Sequence, residues 1–170
     1  MVELELVGVR VELPANQPIV LLRETGGTRY LPIWIGAPEA TAIAFALQGV
    51  ETPRPLTHDL FVDVLSAMNA SLAAVHVTRL EEGTFYAELH LVRDAVTTIV
   101  SARPSDAIAL ASRLEGVPIF GAEAVMDEAG LEIDDDESET TDPGVTSEDE
   151  VRQFRQFLEN VEPGDFELPG

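Results

Sequence analysis

The chain has 170 residues, 45% hydrophobic and 24% charged, which are the proportions of one ordinary globular domain. It contains no cysteine, which excludes disulfides, thiolate nucleophiles and thiolate metal sites. Its ten basic residues, all arginines, stand against 31 carboxylates, so the formal net charge is −21 and a general phosphate-binding surface is not expected. The N-terminus predicts a strand and no signal peptide, and no apolar run approaches a membrane span, so we expect a cytoplasmic protein without a membrane partner.

The first third of the chain predicts three strands and a helix. Apolar and polar residues alternate with period two between turn residues, which is the pattern of half-buried strands, and the first strand has a slip near Gly8. The predicted strands are residues 2–13, 19–23 and 29–35. Pro38 and Glu39 indicate a helix start. Residues 40–47 are apolar nearly all round, so this helix should be buried.

The middle of the chain predicts an amphipathic helix followed by a meander of three strands. Thr57 is the expected N-cap of the helix, and its apolar residues follow at helical spacing as far as Met68. The predicted meander strands are residues 73–80, 84–92 and 97–102. The remaining predicted elements are a helix over 107–114 that follows Arg103-Pro104-Ser105-Asp106, a short strand over 117–120 and a brief helix over 121–128.

The C-terminal quarter differs in charge from the rest. From Glu123 onward the chain has 17 carboxylates and two arginines. Residues 131–146 are polar and acidic and predict a disordered linker, and residues 147–170 predict an amphipathic helix and tail. The sequence thus predicts an α+β domain over 1–130, with a mixed or antiparallel sheet and helices packed on one side, followed by the linker and the C-terminal helix.

Three predicted helix starts carry residues that could do chemistry. His58 can act as a general acid or base near neutral pH, and Asp59 and Asp106 are carboxylates of the kind that bind hard divalent cations. Glu39 completes the set of acids at helix starts. The spacing is equally compatible with a structural role, in which each acid complements its helix dipole and His58 is a surface residue.

Two arginines have the same local context. Arg54 and Arg103 each precede a proline just before a predicted helix. Such a placement would aim two guanidinium groups at two helix N-termini, which favours an anion such as phosphate. Alternatively, the two arginines form ion pairs with Asp59 and Asp106 and lock the loops.

Four segments together resemble the bifunctional nuclease family. They are LPIWIGAPEATAIAFALQG (31–49), PRPLTHDL (53–60), GTFYAEL (83–89) and ARPSDAIALA (102–111). The resemblance covers residues 2 to about 128, and the SEDEVRQFRQFLENVEPGDF tail is similar to the C-terminal end of bacterial members. It implies hydrolysis of phosphodiester bonds, with DNA and RNA as substrates.

Roles for the site residues follow as an interpretation of this resemblance. The catalytic residues would be His58, Asp59 and Asp106, with His58 as the acid–base group. The phosphate-binding residues would be Arg54, Arg103 and Ser105. A divalent metal, Mg²⁺ or Mn²⁺, would be held by Glu39, Asp59 and Asp106, and no organic cofactor is expected.

A competing hypothesis is a non-catalytic binding or regulatory module whose arginine–carboxylate loops are structural. On either hypothesis we expect a homodimer or a larger homo-oligomer. The reason is that apolar positions on the N-terminal hairpin and the Phe154/Phe157 stripe of the last helix both need cover.

Overall fold

Eight strands form one sheet in the described part of the chain. A computed structural model describes residues 1–12 and 15–132, so the C-terminal helix predicted over 147–170 and all but the first two residues of the predicted linker lie outside it. The strands are β1 (Val2–Glu12), β2 (Gln17–Glu24), β3 (Arg29–Trp34), β4 (Ser71–Glu81), β5 (Thr84–Arg93), β6 (Val96–Ala102), β7 (Ile119–Gly121) and β8 (Leu131–Glu132).

The sheet is mixed. Its strand order is β6-β5-β4-β7-β1-β2-β3-β8, and neighbouring strands are antiparallel except for β4 and β7, which are parallel. The predicted α+β class and the mixed sheet are therefore confirmed. The meander predicted from residue 73 to residue 102 is also confirmed, as β4, β5 and β6.

Two details of the sheet concern a register shift inside β1 and an additional short strand at one edge. The pairing of β1 with β2 shifts register between Leu6 and Gly8, which confirms the predicted slip. The strand β8 was not expected, because two residues are too few to show a periodicity. It pairs Leu131 with Tyr30, so the first two residues of the predicted linker belong to the sheet.

In the same described residues, four helices accompany the sheet. They are α1 (Ala37–Leu47), α2 (Thr57–Ala67), α3 (Pro104–Ala111) and α4 (Glu123–Ala129). Pro38 and Pro104 lie in the first turns of α1 and α3, where an amide proton would have no helical partner. The prediction of Thr57 as the N-cap of α2 is wrong by one residue: the N-cap is Leu56, whose N–H donates to Asp59 Oδ2 at 2.9 Å. In the part of the chain that the structure describes, none of these helices is long and apolar enough to cross a membrane.

The core forms against the face of the sheet at which α1 and α3 pack. Strand residues alternate between buried and more exposed positions, as the period of a strand requires. Each large aliphatic side chain that is fully buried contributes about 1.5–3 kcal/mol. Because α3 is buried along most of its length between α1, α2 and the strands β4 and β5, its first turn is fixed next to the starts of the other two helices. The core includes Val20, Leu22, Leu31, Ile33, Ile43, Val75, Val77, Leu89 and Ile108.

Both turns of the meander have backbone conformations that favour glycine. In the β4–β5 turn, Glu82 and Gly83 have φ angles of 49° and 76°. In the β5–β6 turn, Asp94 and Ala95 have φ angles of 51° and 63°. Two-residue turns of this kind suit the twist of antiparallel strands, but a residue with a Cβ atom is strained there.

Candidate functional site

The first turns of α1, α2 and α3 bring four charged or titratable side chains together, and we call this group the Arg103 cluster. Arg103 Nε donates to Asp106 Oδ2 at 2.7 Å, and Arg103 Nη2 donates to Asp106 Oδ1 at 3.1 Å. The same Nη2 lies 2.8 Å from Glu39 Oε1. His58 Nε2 lies 3.1 Å from Asp106 Oδ1. Glu39, His58, Arg103 and Asp106 therefore form one connected group, although they come from three different helices.

Arg103 is the outermost member of the cluster. Its side chain is 66% exposed, and its guanidinium bridges two carboxylates that are better covered. The hydrogen bond to Asp106 raises the pKa of Arg103 above its ordinary value, and the charge of Glu39 adds to this. The guanidinium thus presents a permanent positive charge to solvent beside the start of α3.

Asp106 is shared between Arg103 and His58. Burial opposes ionisation of this carboxyl, but hydrogen bonds from Arg103 and then His58 outweigh it and lower the pKa of Asp106 below its ordinary value. Because an ionised carboxylate only accepts hydrogen bonds, His58 Nε2 carries the proton in this contact. When the imidazole is neutral, its Nδ1 is then the nitrogen able to accept a proton.

Asp59 belongs to a different ion pair. Arg113 Nε donates to Asp59 Oδ1, and Arg113 Nη1 donates to the carbonyl of Ala109 at 2.7 Å. The Arg113 hydrogen bond is the main cause that lowers the pKa of Asp59, and burial opposes it. Since the Arg113 side chain is nearly buried, this pair ties the start of α2 to the end of α3. The expected pairing of an arginine with each aspartate holds for Arg103 and Asp106, but Asp59 pairs with Arg113 and not with Arg54.

The two remaining predicted phosphate-binding residues lie in contrasting places. Arg54 is exposed on the loop before α2, and its carbonyl accepts a hydrogen bond from Thr52 Oγ1 at 2.6 Å. Among the described residues, no carboxylate forms an ion pair with the Arg54 guanidinium. Ser105 is buried in the first turn of α3, which fits packing better than contact with a ligand.

The predicted metal ligands do not come together as a set. Across residues 1–12 and 15–132, no group of three or more histidine, aspartate and glutamate side chains is arranged to hold a metal ion. Glu39 and Asp106 are both bonded to Arg103, and Asp59 is bonded to Arg113. As placed, these carboxylates do not fit a divalent cation. A metal requirement stays a prediction, and no step below depends on it.

Two surface cavities lie near the C-terminal end of α3. The first, of about 400 Å³, is lined by Glu3, Glu5, Ser112 and apolar residues. The second, of about 280 Å³, is lined by Asp59 and Arg113. Neither of these two cavities is lined by a member of the Arg103 cluster, in which Arg103 is exposed and Glu39 and His58 are largely covered.

Helix N-termini favour an anionic group, and a histidine beside them can transfer a proton near neutral pH. A family model described as the bifunctional nuclease domain matches residues 20–134, which is more than half of the chain and includes the whole cluster. The chain belongs to the bifunctional nuclease domain family, and the resemblance seen in the sequence is confirmed. It is also similar to uncharacterized proteins from two strains of Mycobacterium tuberculosis, each 54% identical over 166 residues, covering 98% of this chain and 98% of each relative.

One residue of this region, Arg113, was missed by sequence reasoning, and one contact, between His58 and Asp106, was not foreseen. Arg113 was not singled out, because it lies 54 residues from Asp59 and in no recognisable motif. The contact between His58 and Asp106 was not foreseen either, since neither position indicates which helix start it would face. The signals that pointed towards this region were the acids at the predicted helix starts, His58, and the repeated Arg-Pro before α2 and α3.

Proposed function

We propose that this chain is a nuclease that hydrolyses phosphodiester bonds of DNA and RNA at the Arg103 cluster. The observation that carries the proposal is the contact of His58 Nε2 with Asp106 Oδ1 at 3.1 Å, beside a guanidinium that is 66% exposed. Membership in the bifunctional nuclease domain family supports the reaction class.

The proton transfer is assigned to His58. Asp106 holds the imidazole by its Nε2–H and stabilises the positive charge that forms on protonation. The Nδ1 atom accepts a proton from the attacking water as the water oxygen bonds to phosphorus. The bond from phosphorus to the leaving oxygen breaks, and that oxygen takes the proton back from His58. Such a transfer contributes about 10²–10⁴-fold to the rate.

Charge stabilisation is assigned to the arginines and the helix starts. Arg103 contacts the non-bridging phosphate oxygens and stabilises the negative charge of the transition state. Arg54 is exposed on the loop before α2 and supplies a second cation. The backbone N–H groups in the first turns of α2 and α3 favour an anion at the same place.

The surroundings weaken substrate binding. Arg103 is shared by Glu39 and Asp106, so a phosphate competes with two carboxylates for one guanidinium. The net charge of −21 also repels a polyanion. We therefore expect a high KM, which falls when salt screens the repulsion.

Cleavage assays on purified full-length protein test the proposal. Labelled single-stranded DNA and RNA oligonucleotides are incubated with Mg²⁺, with Mn²⁺ and with a chelator. His58→Ala and Asp106→Ala should each lower the cleavage rate by about 10²–10⁴-fold. Asp63→Ala, which removes an exposed carboxylate on the same helix as His58, should leave the rate unchanged. Cleavage that both substitutions leave undiminished, or its absence from the wild type under all three conditions, would overturn the proposal. Loss of cleavage in the presence of the chelator would show that the reaction requires a divalent metal ion.

A second candidate is a non-catalytic binding or regulatory module. It is favoured by the fact that Glu39, Asp59 and Asp106 all form ion pairs with arginines that join helices. On this hypothesis the wild type does not cleave DNA or RNA. Asp106→Ala then lowers the free energy of unfolding, and the cleavage assay shows no difference between the variant and the wild type. The cleavage assay and a denaturant titration of the same variants separate the two candidates.

A further inference from the structure

Among the residues that the structure describes, β6 has a neighbouring strand on one side only and is an open edge of the sheet. It lies at the end of the strand order beside β5, and six of its seven residues are exposed. Its sequence, VTTIVSA, contains no charged residue and no proline. Val96, Ile99 and Val100 are all exposed large hydrophobic residues.

Within residues 1–12 and 15–132, this edge lacks the features by which proteins keep such strands unpaired. Natural edges are shortened, bulged, covered or given charges and prolines, because their free N–H and C=O groups otherwise pair with another chain. The ladder between β5 and β6 runs without a register shift from Arg93 and Val96 to Ala87 and Ala102. At the other edge of the sheet the last strand, β8, has only two residues.

The exposed side chains of β6 lie on both faces of the strand. Val100 is opposite Leu89, which is buried, so Val100 points to the face covered by the helices. Helix α3 packs on β4 and β5, and β6 extends beyond this cover. Ile99 is opposite His90 and points to the other face. A partner that adds a strand at this edge would therefore cover apolar groups on both sides of the sheet.

We propose that β6 pairs antiparallel with β6 of a second copy of this chain, about a two-fold axis. The two ends of the strand carry opposite charges: Asp94 lies in the turn before β6, and Arg103 follows it directly. Antiparallel pairing of identical strands brings Asp94 of each copy near Arg103 of the other, which gives two symmetric attractions. Copies with a net charge of −21 repel each other, and the uncharged surface of β6 lets them approach.

The pairing has a consequence for the Arg103 cluster. Because Arg103 follows β6 directly, the two clusters of the dimer lie at opposite ends of the paired strands, each next to the β5–β6 turn of the other copy. In the dimer, each Arg103 cluster therefore has the β5–β6 turn of the second copy as a neighbour. This inference does not depend on nuclease activity.

Light scattering coupled to size exclusion, and sedimentation over a range of concentrations, test the proposal on the full chain. Ile99→Lys places like charges close together across the two-fold axis and should raise the dissociation constant of the dimer at least about tenfold. Leu60→Lys is the matched control, because Leu60 on α2 is 55% exposed and Ile99 is 57% exposed. It should leave the dimer unchanged. Circular dichroism of each variant verifies that it is folded.

The charged ends of the strand have their own test. Asp94→Lys should raise the dissociation constant about two- to fivefold for each of the two pairs that it removes. Its matched control is Glu82→Lys, which makes the same charge change in the β4–β5 turn at nearly the same φ. A monomeric wild type, or a dimer that Ile99→Lys leaves intact, would overturn the proposal. A dimer weakened equally by Leu60→Lys would place the interface elsewhere and would also overturn it.

Discussion

His58 Nε2 and Asp106 Oδ1 lie 3.1 Å apart, although 48 residues separate them in the sequence. The same carboxylate accepts two hydrogen bonds from Arg103. Asp106 therefore orients both the candidate acid–base group and the candidate phosphate-binding group, and a change at this one position affects both.

Asp106→Asn preserves the size of the side chain but removes its charge. If the proposed reaction is correct, cleavage should fall at least about 10²-fold, since a neutral amide does not stabilise a protonated His58. Glu39→Gln is the matched change, because Glu39 contacts Arg103 and shows no contact with His58. Glu39→Gln should lower the cleavage rate clearly less than Asp106→Asn does. An equal fall in the cleavage rate of the two variants would contradict the idea that Asp106 acts by stabilising protonated His58.

The Arg113–Asp59 pair is expected to stabilise the fold. Arg113→Met removes hydrogen bonds to Asp59 and to the carbonyl of Ala109 and leaves both acceptors without their donor, which should lower the free energy of unfolding by about 1–3 kcal/mol. Denaturant titration measures the loss. Arg10→Met, at an exposed position of β1, should change the free energy of unfolding by less than about 0.5 kcal/mol. A similar loss in both variants would contradict the structural role of the pair.

Acidification should destabilise the protein through two aspartates. Arg113 lowers the pKa of Asp59, and hydrogen bonds from Arg103 and His58 lower the pKa of Asp106 against the effect of burial. The unfolded chain therefore binds protons first as the pH falls below about 4. The stabilisation is fully present above that value and is lost as the pH falls through the lower pKa values of the folded state. In Asp59→Asn the stability measured by denaturant titration should depend less on pH below about 4, and an unchanged dependence would contradict this origin.

A stacked histidine pair should add a second pH dependence nearer to neutrality. The rings of His76 and His90 lie 3.9 Å apart between centroids, with Phe120 of β7 edge-on to His76 at 5.2 Å. Burial, and then the charge of His90, lower the pKa of His76, while Glu88 opposes the shift. The unfolded chain then takes up this proton first, so stability should fall as the pH drops below about 6.5.

His76→Phe is the variant that tests this second dependence. It keeps an aromatic ring and removes the titration, so its stability should change less than that of the wild type between about pH 5 and 7. Thermal unfolding at several pH values measures the difference. Parallel curves for the two proteins would show that His76 does not contribute.

The two meander turns offer a paired test of backbone strain. Ala95 has a φ of 63° in the β5–β6 turn, and Gly83 has a φ of 76° in the β4–β5 turn. Ala95→Gly should relieve strain and raise the free energy of unfolding by about 1 kcal/mol, and Gly83→Ala should lower it by a similar amount. Denaturant titration of both variants gives the two values. A loss of stability in Ala95→Gly would mean that chain entropy outweighs the strain.

Most elements of the described fold were predictable from local pattern. The meander and the slip near Gly8 follow from periodicity and turn residues, which act over a few positions. The expectation that α1 is buried holds only in part, because Ala40, Ala42 and Ile43 are buried while Leu47 is 49% exposed. Helix limits were less accurate, because they depend on individual contacts. The carboxylate of Asp59, for example, makes Leu56 and not Thr57 the N-cap of α2.

Partners across long sequence separations could not be derived in this way. The sequence indicates that helix starts with acids and arginines exist, but not which of them meet. Arg29 makes the same point: it donates to Glu24, Glu123 and Asp127 and so connects β3 with α4, and nothing in the local pattern of Arg29 predicts this. The four residues of the Arg103 cluster had all been singled out in the sequence, but Asp59, Arg54 and Ser105 were predicted with them and lie outside the cluster. The packing of α3 determines which residues pair.

The short strand β7 has a consequence for the biosynthesis of the protein. Only Ile119–Gly121 join β1 to β4, and they follow β1 by more than a hundred residues. During translation, the N-terminal hairpin therefore emerges from the ribosome long before β7, the strand that pairs with the second edge of β1. At about 10 residues per second the delay is roughly 10 s, far longer than a hairpin needs to form. Over this interval the free side of β1 is open to wrong partners, so the nascent chain is the stage at which this protein most needs protection from aggregation.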